Sequence, residues 1–162
     1  ASPVTDHDRW LRYSSSSARD LEISDFYSDW AEGQFGIEAS DAAAKIFTRL
    51  DGGPFSNVIH KRKTNLPRPA TWIDGPGGIK ADERSWEQVA KEYGFVDEFA
   101  KLRRKVKGAG NLERFDYWLN NFRYLRAVGE LGCLYGQFNK AVGEISDALR
   151  RVFGEHQESV AL

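Results

Sequence analysis

FDYWLNNFRYLRAVGELGCLYGQFNKAVGEISDALRRV, residues 115–152, carries the most structural information in the chain. Phe115, Trp118, Leu119, Phe122, Leu125, Val128, Leu131, Tyr135, Phe138, Val142, Ile145, Leu149 and Val152 recur within it in steps of three and four, Trp118 and Leu119 sharing a turn. An α-helix repeats every 3.6 residues, so this spacing gathers the apolar side chains on one face. The pattern predicts a rod of about eleven turns, on the order of 60 Å long, with that stripe buried. Gly129, Gly132, Gly136 and Gly143 oppose it, each costing roughly 1 kcal/mol against alanine inside a helix. The phase of the stripe survives all four, which predicts an unbroken helix whose glycines are compensated by close packing.

Shorter helices are expected upstream. Asn111, following Gly108 and Gly110, suits the cap of the long helix. Ser85-Trp86-Glu87-Gln88 has the Ser-x-x-Gln pattern in which hydroxyl and amide satisfy each other's helix-start groups, and Gly94 is expected to stop that helix. Phe95, Phe99, Leu102 and Val106 then mark one face of another. Nearer the N-terminus, Ser24 as a cap with Phe26, Tyr27, Trp30 and Phe35 predicts a helix over about 24–34, ended by Gly36. Ile37 to Leu50 predicts its partner, ended by Asp51, Gly52 and Gly53. Residues 52–84 hold Pro54, Pro67, Pro69 and Pro76 and read as one long loop, ordered because Phe55, Val58, Ile59, Leu66, Trp72, Ile73 and Ile79 can anchor it. The expected fold class is mainly α: a helical bundle-like domain over 24–162 with a long C-terminal helix and one long ordered loop, preceded by an extension or linker over 1–23.

At 162 residues the chain can bury a core that needs no staples. Its single cysteine, Cys133, excludes an internal disulfide and reads as a small apolar core residue. With 23 basic against 24 acidic side chains, the chain lacks the positive footprint of a phosphate-backbone binder, so nucleic acid is not an expected partner. No apolar run reaches bilayer-spanning length, so no membrane is expected either. The start at Ala1 and the absence of methionine suggest a piece of a longer polypeptide.

Two stretches have chemistry suited to a ligand. On a helix, Asp116, Asn120 and Arg123 share a face and present a carboxylate, an amide and a guanidinium beside Tyr117, Trp118 and Tyr124. Sugar hydroxyls and the apolar faces of sugar rings call for that mixture; the alternative is that these groups tie the helix to a neighbouring segment. The run from Arg68 through Trp72 and Asp74 to Gly78 offers a stackable ring and a carboxylate at a glycine-rich turn, without phosphate-cradle spacing. The candidate ligand-binding residues are therefore Arg68, Trp72, Asp74, Asp116, Asn120 and Arg123. His60 to Lys63 is a basic cluster that reads as a solvated loop. His7, His60 and His156 are scattered and no metal or cofactor is expected. No catalytic residue is assigned.

Asp25 to Trp30 through Phe35-Gly36, with Ala43, Ala44 and Ile46, and Arg114 to Trp118 through Asn121 to Ala127, resemble helical regions that follow the catalytic barrel in large exo-acting glycoside hydrolases of the alpha-glucuronidase-like and alpha-N-acetylglucosaminidase-like kind. That resemblance covers about half the chain. It implies a non-catalytic supporting domain of a carbohydrate-active enzyme, with carbohydrate and the rest of the parent polypeptide as partners, and an extracellular or periplasmic setting. Two other readings are a helical protein–protein interaction module whose long stripe docks a partner chain, and a small enzyme built on the Trp72 to Gly78 loop.

Overall fold

The structure, a computed structural model, describes residues 22–53, 64–71 and 78–159, with Thr71 and residues 154–159 described as backbone alone. In chain order these form helices α1 (Ile23–Phe35) and α2 (Ile37–Leu50), strands β1 (Ala70–Thr71) and β2 (Gly78–Ile79), and helix α3 (Trp86–Val89), which runs into a 3-10 turn at Ala90–Tyr93. Helix α4 (Gly94–Leu102) follows with a 3-10 turn at Arg103–Lys105, and helix α5 (Ala109–Ser159) closes the chain. The fold is mainly helical with a long C-terminal helix, as the periodicity predicted, and α5 is continuous through all four glycines. Two compact units divide the molecule, residues 1–67 with 95–121 and residues 68–94 with 122–162.

The first unit is held by aromatic rings. Gly36, at φ 84° in the left-handed region, turns the chain sharply between α1 and α2, which pack on each other. Ala31, Ala39 and Ala43 are fully buried, small enough for close helix approach. Phe99 and Phe115 stack at 4.2 Å and 11°, and Phe35 meets both edge-on at 5.7 and 5.5 Å. Phe47, Trp30 and Trp118 extend the cluster. Each buried ring contributes about 1.5–3 kcal/mol by leaving water, and favourable ring pairing adds about 0.5–1.5 kcal/mol. Gly52 and Gly53, both at positive φ, end α2 by turning the Gly53 N–H back onto the Thr48 carbonyl at 2.9 Å.

The second unit is built on the glycines of α5. β1 and β2 pair antiparallel, Ala70 opposite Ile79, and the chain then lies along the helix with the Asp82 N–H donating to the Gly132 carbonyl at 3.0 Å. A Cβ on Gly132 would come 2.6 Å from the Lys80 carbonyl oxygen; one on Gly136 would collide with the Asp82 carbonyl, and one on Gly129 with the Tyr93 ring. Close packing therefore compensates three of the four glycines, whereas Gly143 has nothing near it.

Four local expectations need correction. Gly94 does not stop a helix: at φ −55° and ψ −28° it passes the chain from the 3-10 turn into α4, because the apolar face of Phe95 and Phe99 continues into the core. Asn111 is not the cap of α5, which starts two residues earlier after Gly108 at φ 87°; its amide instead donates back to the Lys107 carbonyl at 2.9 Å. Ser24 lies inside α1, and its hydroxyl donates to the Glu22 carboxylate. The stripe of α5 is not buried along its length. Phe115, Leu119 and Phe122 are buried, but Leu131 and every large apolar residue beyond it are exposed, since the segment packed on α5 in the second unit lies against Gly132 and Gly136. The Ser85–Gln88 capping box forms as expected, with Ser85 N–H donating to Gln88 Oε1 at 3.2 Å.

Candidate interaction surface

From Leu131 onward the spacing tightens to alternating steps of four and three: Leu131, Tyr135, Phe138, Val142, Ile145, Leu149, Val152. This repeat averages 3.5 residues and is the a/d seam of a left-handed coiled coil. Leu134, Ala141 and Ala148 flank it on one side, Asn139, Ser146 and Phe153 on the other. Lys140, Glu144, Asp147, Arg150 and Arg151 stand away from the seam on α5, where Asp147 pairs with Arg150 at 3.8 Å and its carbonyl accepts from Arg151 Nε at 3.3 Å. Phe138 is 64 % exposed, Ile145 60 % and Phe153 66 %.

Within the second unit, the segment packed beside the base of this seam is tied together by a cluster of charged groups. Arg84 donates to Asp82 from Nε at 3.0 Å and from Nη2 at 2.6 Å, and to Glu92 from Nη1 at 2.6 Å. The Arg84 guanidinium holds the Asp82 carboxyl below its ordinary value, keeping it charged and fastening the segment that covers Gly132 and Gly136. Burial pushes the Tyr93 phenol up to about 12 and raises the Cys133 thiol. Cys133, free and buried, is core material, in line with its sequence reading.

Of the six candidate ligand residues, Arg68, Asp116, Asn120 and Arg123 lie among the described residues. Asp116 is held by Arg103, which donates to both its oxygens at 2.7 and 2.8 Å. Asn120 and Arg123 are exposed on α5, and Arg68 is exposed beside buried Pro69. Trp72 and Asp74, like the basic cluster His60 to Lys63, lie outside the described residues. In the first unit an open depression of about 420 Å³ is lined by Ser24, Ser28, Asp41, Lys45, Thr48 and Asn65 among others. Among the described residues no His, Cys, Asp and Glu side chains are grouped to hold a metal ion, and no helix is long and apolar enough to cross a membrane. No family model, curated protein or solved structure matches the chain.

Sequence reasoning placed the apolar stripe but missed its exposure, and with it Leu134 and Phe153. The signal was present in the change from mixed spacing to a strict four-three alternation at Leu131. A residue that must fit a globular core tolerates the drift of a 3.6 period, whereas a seam facing one other helix requires 3.5.

Proposed function

We propose that this chain is a helical protein–protein interaction module that presents the Leu131 to Phe153 face of α5 to a partner helix. The observation that carries the reading is an apolar seam with coiled-coil periodicity left in water. The exposed side chains from Leu131 to Phe153, each showing roughly half or more of its surface, amount to on the order of 900 Å² of apolar area, above the ~300–600 Å² of the largest patch on a typical monomer. The carbohydrate-enzyme reading draws less support, because Asp116 is bonded to Arg103 and the polar row it belonged to offers Asn120 and Arg123 alone.

Thiol labelling of Phe138→Cys and Ile145→Cys, in protein diluted until it is monomeric, tests the reading. Labelling at the rate of an unstructured peptide thiol, with unfolding temperature unchanged, supports an open face. Slow labelling at every dilution means that the chain covers its own seam, and the reading fails.

A further inference from the structure

We infer that the partner of this face is a second copy of the same chain, paired antiparallel along α5; the inference rests on the docking reading above and specifies its occupant. The seam is self-complementary in that direction. With Val142 of one copy opposite Ile145 of the other, Phe138 falls opposite Leu149 and Tyr135 opposite Val152, because all three pairs are centred on the same point between Gly143 and Glu144. Each of these three layers sets a larger side chain against a smaller or similar one, the arrangement that fills a helical core without voids. In-register parallel pairing would instead stack Tyr135 on Tyr135 and Phe138 on Phe138 at one end, leaving Leu149 and Val152 to fill the same spacing at the other.

The flanks agree. Ala141 of one copy lies diagonally across from Ala148 of the other, so small residues line one edge and the helices can approach closely. Asn139 and Ser146 meet on the opposite edge, where amide and hydroxyl can bond. Neither flank carries a charge between residues 139 and 148, so no like-charge contact opposes self-association there, and no charged pairing demands a different partner. The exposed apolar area of this face, on the order of 900 Å² per chain, is an upper bound on what pairing can bury and is comparable to the ~800 Å² per partner of a stable interface.

Sedimentation equilibrium on the full chain, from nanomolar to tens of micromolar, reads the stoichiometry. The expected result is a monomer–dimer transition with two chains at the upper end, and in Phe138→Glu/Ile145→Glu a dissociation constant at least ~100-fold higher, since each new carboxylate would be buried unpaired. Circular dichroism of the dilute variant should match the parent, which separates lost association from lost folding. Direction is read by oxidation: Tyr135→Cys mixed with Val152→Cys should give a covalent heterodimer. Neither variant alone should cross-link, because the two Tyr135 positions of an antiparallel pair lie about 25 Å apart. A chain that stays monomeric at tens of micromolar while its face labels freely overturns the self-pairing and leaves the docking reading standing. Cross-linking of Tyr135→Cys to itself overturns the antiparallel direction.

Discussion

The Tyr93 ring rests on Gly129 in the space that a side-chain carbon would occupy. This contact explains how α5 tolerates glycine where helix propensity argues against it: the lost propensity is exchanged for a closer approach of ring and backbone than alanine permits.

Gly129→Ala, Gly132→Ala and Gly136→Ala should therefore all destabilise the protein. Alanine gains roughly 1 kcal/mol of helix propensity at each site, but overpacking costs about 1–3 kcal/mol. Tyr93 is 2 % exposed and the Lys80 and Asp82 carbonyls are backbone, so none can simply swing aside. Urea unfolding followed by circular dichroism should show a net loss of up to about 2 kcal/mol, largest at Gly136, which faces the Asp82 backbone.

Gly143→Ala is expected to have the opposite sign. Nothing lies within 4 Å of its would-be Cβ, so helix propensity acts unopposed and stabilises α5 by up to ~1 kcal/mol. The same denaturation experiment checks it, and a loss of stability would mean that something packs on that turn.

Tyr93 should ionise at about 12 in an alkaline titration followed by phenolate absorbance. Its folded value lies above the ordinary 10.0. The neutral ring's contribution is thus complete below pH 10 and is lost as the pH rises towards 12. Tyr93→Phe should remove that part of the alkaline loss.

Asp82 acts at the other end of the scale. Its folded pKa lies below 3.8, chiefly through the hydrogen bonds from Arg84, so its contribution is present above pH 3.8 and fades as the pH falls through the lowered folded value. Arg84→Gln should lower the unfolding temperature at neutral pH by less than Gly136→Ala does, because the ion pair is partly exposed. The difference from the parent should vanish in acid.

A chain ending at Asn139 should unfold, when dilute, within a few degrees of the whole protein while losing the helical signal of the removed residues, which add helix propensity but no buried contact. Beyond Gly136 the described side chains are exposed, apart from a half-buried Ser146. At high concentration the full chain alone should gain stability, because α5 then has something to bury against.

Helical periodicity, the Ser85–Gln88 box and the Gly52-Gly53 stop are local chemistry, and all three were legible residue by residue. Gly94 and Asn111 were misread for one reason. A glycine or an asparagine states what the backbone can do at that point, while the packing of Phe95, Phe99 and Phe115 selects among the options. The ligand row of Asp116, Asn120 and Arg123 was legible as a shared helix face, but spacing along one helix could not reveal that Arg103 comes to Asp116 from another segment.

The order of residues was enough to make α5 a helix and to keep its apolar face in phase, because a 3.6-residue period needs no partner to be expressed. Which part of that face meets the rest of the chain, and which glycines lie beneath a ring or a carbonyl, depended on residues far apart in the chain arriving at the same place. Burial is a property of such meetings: Phe115 found Phe99, and Phe138 found no cover.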